Sequence, residues 1–229
     1  MIPIRDDAPR AVTPYVTYSL IGLNALLFLF EVSLPPFQLN RFLFEFGLVP
    51  ALFTANPVAG SVTVLTSMFL HGGWIHLIAN MWALYLFGDN IEDYLGGFKF
   101  LLLYFGGGIF AALLQILFAP TSEVPMIGAS GAIAAVMGAY FLLFPAARVL
   151  TIVPIFFAWF VWLPAWLVLG YWFLAQFLNG AAVTIGRTAG TGSGGVAFWA
   201  HVGGFIAGLT LIKLFQPRAQ RYATDYYRN

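Results

Sequence analysis

Six apolar stretches, at residues 15–34, 72–88, 98–118, 127–144, 162–178 and 196–212, constrain this chain more than any other feature. A helix needs about 20 predominantly apolar residues, with about 17 tolerated, to cross a hydrocarbon layer roughly 30 Å thick. In that medium every backbone amide and carbonyl has to be satisfied without water, which a helix does by itself. Composition agrees, since only 8% of the residues are charged, where a soluble domain carries about a quarter. The pattern predicts an all-α polytopic membrane protein with a cytoplasmic N-terminal segment at 1–14, a six-transmembrane-helix bundle at 15–215 and a cytoplasmic C-terminal tail at 216–229. The first apolar run is longer than a signal-peptide core and reaches Glu31 without a small-residue cleavage site, so it is read as a retained span.

Between the first two stretches, residues 37–70 hold Arg41-Phe42-Leu43-Phe44-Glu45-Phe46, a mixture of charge and large apolar groups expected of a segment lying on the membrane. Residues 149–178 carry no charge but are interrupted by Pro154 and Pro164, so one straight helix is excluded and the fifth span is placed at 162–178. A loop of glycines and small polar residues is expected at 179–195. With six spans both termini share a side. That side holds Arg5, Arg10, Lys99, Arg148, Lys213, Arg218, Arg221 and Arg228, against Arg41 and Arg187 on the other, and the basic excess predicts cytoplasmic termini. Spans two, four and six then run inward from the outer face.

The formal net charge of +1, without a basic patch, gives no reason to expect a nucleic-acid partner. The lack of cysteine excludes disulfides, thiol catalysis and Cys-ligated metal.

Chemistry concentrates in the stretch Met126-Ile127-Gly128-Ala129-Ser130-Gly131-Ala132, where a loop turns into an apolar helix. A serine there ordinarily caps the helix. The soluble-hydrolase elbow, G-x-S-x-G after a strand, is excluded because Ala132 replaces the last glycine and no strand pattern precedes it. His76 and Asn80 in span two, Ser130 in span four and His201 in span six are costly in hydrocarbon and therefore functional candidates. All lie near the starts of inward-running helices, at one depth. Gly204 and Gly208, three and seven residues beyond His201, and Gly131 and Gly138 in span four allow those two helices to approach closely.

A serine is a weak nucleophile until a neighbouring base takes its proton, and His201 is the one histidine outside the span-two region. His76 and Asn80, at i and i+4, present two donors from one helical face toward a developing oxyanion. Asp89 lies thirteen residues beyond His76, about 20 Å along a helix, so no carboxylate completes a triad. No metal site is expected, because His71 and His76 at i and i+5 are poorly aligned as ligands and no H-E-x-x-H occurs. No cofactor is expected.

On His76-x-x-x-Asn80, Gly128-x-Ser130-Gly131 and Ala200-His201-x-x-Gly204-x-x-x-Gly208, the chain resembles the rhomboid family of intramembrane serine proteases, of the bacterial or archaeal six-span type, over roughly residues 60–212. The resemblance implies a Ser130–His201 dyad, with His76, Asn80 and the Ser130 backbone amide around the oxyanion. It also implies a packing role for Gly128, Gly131, Gly204 and Gly208, structural roles for His71 and Glu92, and transmembrane proteins in the bilayer as substrates, cut near the outer face. The cell (inner) membrane of a prokaryote is the expected location. Two departures stand out: Ala134 replaces an aromatic residue that many members place four after the nucleophile, and Val62-Thr63 stands where some carry Trp-Arg. A catalytically inactive, rhomboid-like membrane-protein binder or chaperone is the rival reading. For substrate entry, span five is the candidate to yield, its Trp162, Trp166 and Phe173 either wedged against Ala79 and Ala83 of span two or facing lipid, two readings of equal weight.

Overall fold

Prolines and glycines set the helix boundaries in the computed structural model, which describes residues 1–155, 157–188 and 196–215. Strand β1 (Ile2–Asp6) is followed by α1 (Tyr15–Ser33), which Pro14 precedes and Pro35 ends. Three short helices, α2 (Pro36–Phe46), α3 (Pro50–Ala55) and α4 (Pro57–Thr66), each begin on a proline, whose missing N–H is no loss at a first helical position. Helix α5 (Trp74–Leu95) ends at Gly96, where φ is +76°, and α6 (Gly97–Phe118) follows directly. Then come α7 (Ser130–Leu143), β2 (Arg148–Ile155), β3 (Phe157–Pro164), α8 (Ala165–Thr188) and α9 (Phe198–Leu211). The expected tail at 216–229 and the loop residues 189–195 lie outside the described residues.

Helices α1, α6 and residues Ala165–Gly186 of α8 are long and apolar enough to cross a membrane. Pro57–Phe69 and Trp74–Leu95 make a fourth span if the pair, bent by 82°, counts as one. The expected spans at 127–144 and 196–212 are shorter apolar helices, Ser130–Leu143 and Phe198–Leu214. α5 runs past the expected end at 88 because its polar last turns are occupied. Glu92 accepts from the Val16 and Thr17 amides at 2.9 and 2.7 Å and from the Thr17 hydroxyl at 2.8 Å. These are orphan donors of the first turn of α1, which has no side-chain cap of its own. Asp93 accepts from the Ala11 amide at 2.8 Å, and Asn90 donates to the Ala8 and Pro9 carbonyls.

The expectation of an all-α chain is corrected. β1, β2 and β3 form an antiparallel sheet in that order, pairing Ile2 with Ile152 and Arg148 with Pro164. The run Val149-Leu-Thr-Ile-Val is rich in β-branched residues, which favour a pleated, half-covered surface. Pro154 is tolerated because it lies beyond the stretch of β2 that pairs with β1. Trp162 therefore belongs to β3. The fifth helix starts after Pro164, at Ala165, and continues through most of the expected loop to Thr188.

The core centres on α7, whose residues from Gly131 through Tyr140 are all buried against α5, α6, α8 and α9. Glycine makes the α7–α9 contact possible: a Cβ on Gly204 would fall on the Gly131 carbonyl, one on Gly208 on that of Ala135, and one on Gly138 on that of Phe205.

At the sheet end of α7 the Tyr140 hydroxyl donates to Asp6, while the Arg148 amide and guanidinium each donate to Asp7 at 2.7 Å. Burial holds the Asp6 carboxyl up at about 6 against an ordinary 3.8, despite the Tyr140 bond. A carboxyl that binds its proton more tightly when folded contributes stability that is complete below the unfolded value and lost as pH rises through the folded one. The wild type should therefore lose thermal stability relative to Asp6→Asn between about pH 4 and 7. Melting of both proteins in detergent across that window checks this; parallel curves would acquit Asp6.

Candidate active site

Ser130 is the first residue of α7, not the fourth of a longer helix. It follows Gly128, held at φ +123°, a value that L side chains rarely adopt, and Ala129. The Gly128 amide donates to the Ser67 carbonyl at 2.9 Å and Met126 pairs with Leu48, so the connection before the serine is pinned from the 46–69 region. The Ser130 side chain does not cap its helix. Its Oγ lies 2.8 Å from His201 Nε2, on the first turn of α9. Gln115 of α6 fixes that turn, its Oε1 accepting from the Ala200 amide at 3.2 Å.

His76 and Asn80 stand on the other side of the serine connection. A Cβ on Gly128 would lie 2.7 Å from His76 Nε2 and 3.5 Å from Asn80 Nδ2, so a bare backbone is needed there. Gly128, expected among the helix-packing glycines, instead precedes the helix and admits these two side chains. His76 Nδ1 accepts from the Gly72 amide at 3.3 Å, which leaves the proton of the neutral ring on Nε2, the nitrogen beside Gly128. Asn80 is buried, and its Nδ2 has no hydrogen-bond partner among the described residues. Two donors are thus aimed at the backbone next to Ser130, where the α7 N-terminus adds its own amides and positive dipole end.

His71 stands behind His76, with ring centroids 5.1 Å apart, and its backbone amide donates to the buried carboxylate of Glu31 at 3.1 Å. It walls the site. Both ring nitrogens of His201 are engaged, and among the described residues no group of three His, Asp or Glu is arranged to hold a metal ion.

A cleft of about 1050 Å³ opens over Ser130 and His201. Ala79, Trp82 and Ala83 of α5 form one wall, and Val168, Trp172 and Ala175 of α8 the other. Met1–Pro3 close its far end, tied down by the Trp82 indole N–H, which donates to the Pro3 carbonyl at 2.8 Å. The wedge of Trp162, Trp166 and Phe173 does not form: Trp162 is in the sheet, Trp166 is 53% exposed, and Phe173 packs on Phe205 of α9 at 4.8 Å. The α8 side chains that line the cleft are instead Val168, Trp172 and Ala175.

Two neighbours of His201 escaped the sequence reading. The Trp172 ring lies 5.7 Å from the imidazole, so an aromatic from α8 covers His201 where Ala134 on α7 does not. Ala134 is fully buried, 3.1 Å from where a Gly204 Cβ would be. Gln176, one turn beyond Trp172, places Oε1 2.7 Å from His201 Nδ1. The signal was a lone carboxamide in an otherwise apolar span, costly there without a partner.

These features define a helical membrane protein with a hydrogen-bonded serine–histidine pair, two side-chain donors beside the serine, and an open cleft above them. The chain belongs to the rhomboid family: the Rhomboid domain matches residues 59–218. It is 30% identical over 143 residues to the yeast (Saccharomyces cerevisiae) Rhomboid protein 1, mitochondrial, covering 60% of this chain and 39% of that protein. It is 32% identical over 114 residues to the zebrafish (Danio rerio) Presenilin-associated rhomboid-like protein A, mitochondrial, covering 48% and 28%. Rhomboid-like protein 11, chloroplastic, of Arabidopsis thaliana is 27% identical over 196 residues, covering 83% and 65%. The chain thus spans less than two thirds of these relatives' own lengths. The expected prokaryotic inner membrane draws no support from them, since they are named for organelles.

Proposed function

We propose that the protein is an intramembrane serine endopeptidase that cleaves transmembrane segments of membrane proteins near the outer membrane face, needing no metal or cofactor. Ser130 Oγ attacks the scissile carbonyl carbon as its proton passes to His201 Nε2, and the tetrahedral oxyanion is met by His76 Nε2–H, Asn80 Nδ2–H and the Ser130 amide. The His201 imidazolium then protonates the leaving amine, and water, activated by the same base, releases the acyl group. The observation that carries this reading is the 2.8 Å Ser130–His201 contact at the floor of the cleft. Six membrane segments, with α7 and α9 as the short fourth and sixth and with cytoplasmic termini, belong to the same proposal. So does substrate entry between α5 and α8.

An inactive binder of membrane proteins would need neither the paired side chains nor two donors beside them. Labelling with a fluorophosphonate separates the two readings: the purified wild type should be captured covalently at Ser130, and His201→Ala should lose capture by on the order of 10³-fold or more while keeping its melting temperature. Absence of wild-type labelling across the neutral and alkaline range would favour the binder.

A further inference from the structure

We propose that Gln176 is a positioning residue for the base: its carboxamide oxygen selects the His201 tautomer that can accept the Ser130 proton, so that α8, a wall of the cleft, also governs whether the dyad is competent. The inference rests on the serine-protease reading above. To take a proton from Ser130, His201 must hold an unprotonated Nε2, and the neutral ring must then carry its proton on Nδ1. The group facing Nδ1 is Gln176 Oε1 at 2.7 Å, an acceptor that this proton satisfies. With the amide turned the other way, its NH₂ would face Nδ1, the ring would be protonated on Nε2, and Ser130 would meet a donor.

The geometry also suits the charged state. When His201 takes the Ser130 proton, the Nδ1–H to Gln176 contact becomes a charge-assisted hydrogen bond, stronger than the neutral one. An amide oxygen gives this support without bringing a second charge into an apolar bundle, where an unpaired carboxylate in the ground state would be costly. Trp172, one turn back on the same face of α8, covers the ring at 5.7 Å. The nucleophile comes from α7 and the base from α9, but both groups that hold the imidazole in place come from α8. A displacement of α8 that widened the cleft would therefore release Nδ1, and catalysis would wait until the helix returned.

The test compares Gln176→Met, of similar length without an acceptor, with Gln176→Glu, which keeps one. Fluorophosphonate labelling and turnover of a small soluble ester, followed against pH, avoid any effect on lateral entry. Nitrogen-15 NMR of labelled histidine reads the tautomer directly. Wild-type neutral His201 should be protonated on Nδ1. Gln176→Met should lower kcat about 10- to 100-fold, the worth of one hydrogen bond to a charged group, with KM held within about twofold. Gln176→Glu should recover part of that loss and move the acid limb of the profile to higher pH, because a carboxylate stabilises the imidazolium. An Nε2-protonated wild type, wild-type rates in Gln176→Met, or a Gln176→Glu profile matching that of Gln176→Met would overturn the proposal. A labelled wild type with those results removes Gln176 alone; an unlabelled wild type removes the protease reading with it.

Discussion

Ser130→Ala and His201→Ala should each lower cleavage of a model transmembrane substrate by on the order of 10⁴-fold or more, with melting temperatures at the wild-type value. The expectation follows from what holds the two helices together: His201 also meets Gln176 and Trp172 of α8, but neither contact belongs to the α7–α9 seam. Ser130 makes no capping bond in α7, and its recorded partner is His201. Alanine suits the first turn of a helix, and the α7–α9 seam is held by glycine backbone contacts rather than by this pair. Removing either group should therefore cost chemistry and not folding. The double variant should be no worse than the worse single one, because the two act as a unit. Asn80→Ala should behave differently, losing on the order of 10²–10³-fold, the worth of one oxyanion donor, while Ser130 is still labelled. Turnover and labelling of the four proteins, read beside their melting curves, check the set. Additive losses in the double variant would break the dyad, and a silent Asn80→Ala would take Asn80 out of the oxyanion site.

Gly204→Val should be a severely damaging packing change. Its Cβ would coincide with the Gly131 carbonyl and sit 3.1 Å from the Ala134 Cβ, so no side-chain rotation relieves it and the two backbones must separate. Overpacking a tight interface typically costs about 1–3 kcal/mol, and more where backbone has to move. Gly131 neighbours Ser130 and Gly204 lies one turn from His201, so the same separation pulls these two side chains apart. Stability and labelling should fall together. Gly22→Ala in α1 is the control: a Cβ there meets nothing within 4 Å, and alanine favours a helix over glycine by about 1 kcal/mol in peptides. It should leave labelling intact and melting unchanged or raised. If Gly204→Val melts and labels as the wild type does, the α7–α9 contact does not position the dyad.

Much of the site was legible in the chain itself. A serine, two histidines and an asparagine inside apolar stretches are expensive unless used, and the glycines three and seven residues beyond His201 mark a face where a helix backbone must be approached. These are local signals, set by residue type and helical period, and they needed no knowledge of what packs where. The first helix was likewise readable, because Pro14 and Pro35 bracket a predominantly apolar run.

What only the tertiary structure decided depends on partners distant in sequence. α5 outruns its apolar stretch because Glu92 finds the uncapped amides of α1, and hydropathy counts such a carboxylate as a stop. The run at 148–164 becomes a hairpin because β1 supplies a third strand from the far end of the chain, so that α8 starts at Ala165 and not at Trp162. The packing of α8 on α9 sets Trp172 and Gln176 against His201, whereas Phe173 meets Phe205 and Trp166 is exposed. The surroundings of His201 were thus fixed by how α8 packs on α9, which no helical period could report: sequence specifies which side chains are costly to bury, whereas the meeting of remote segments decides which of them pair.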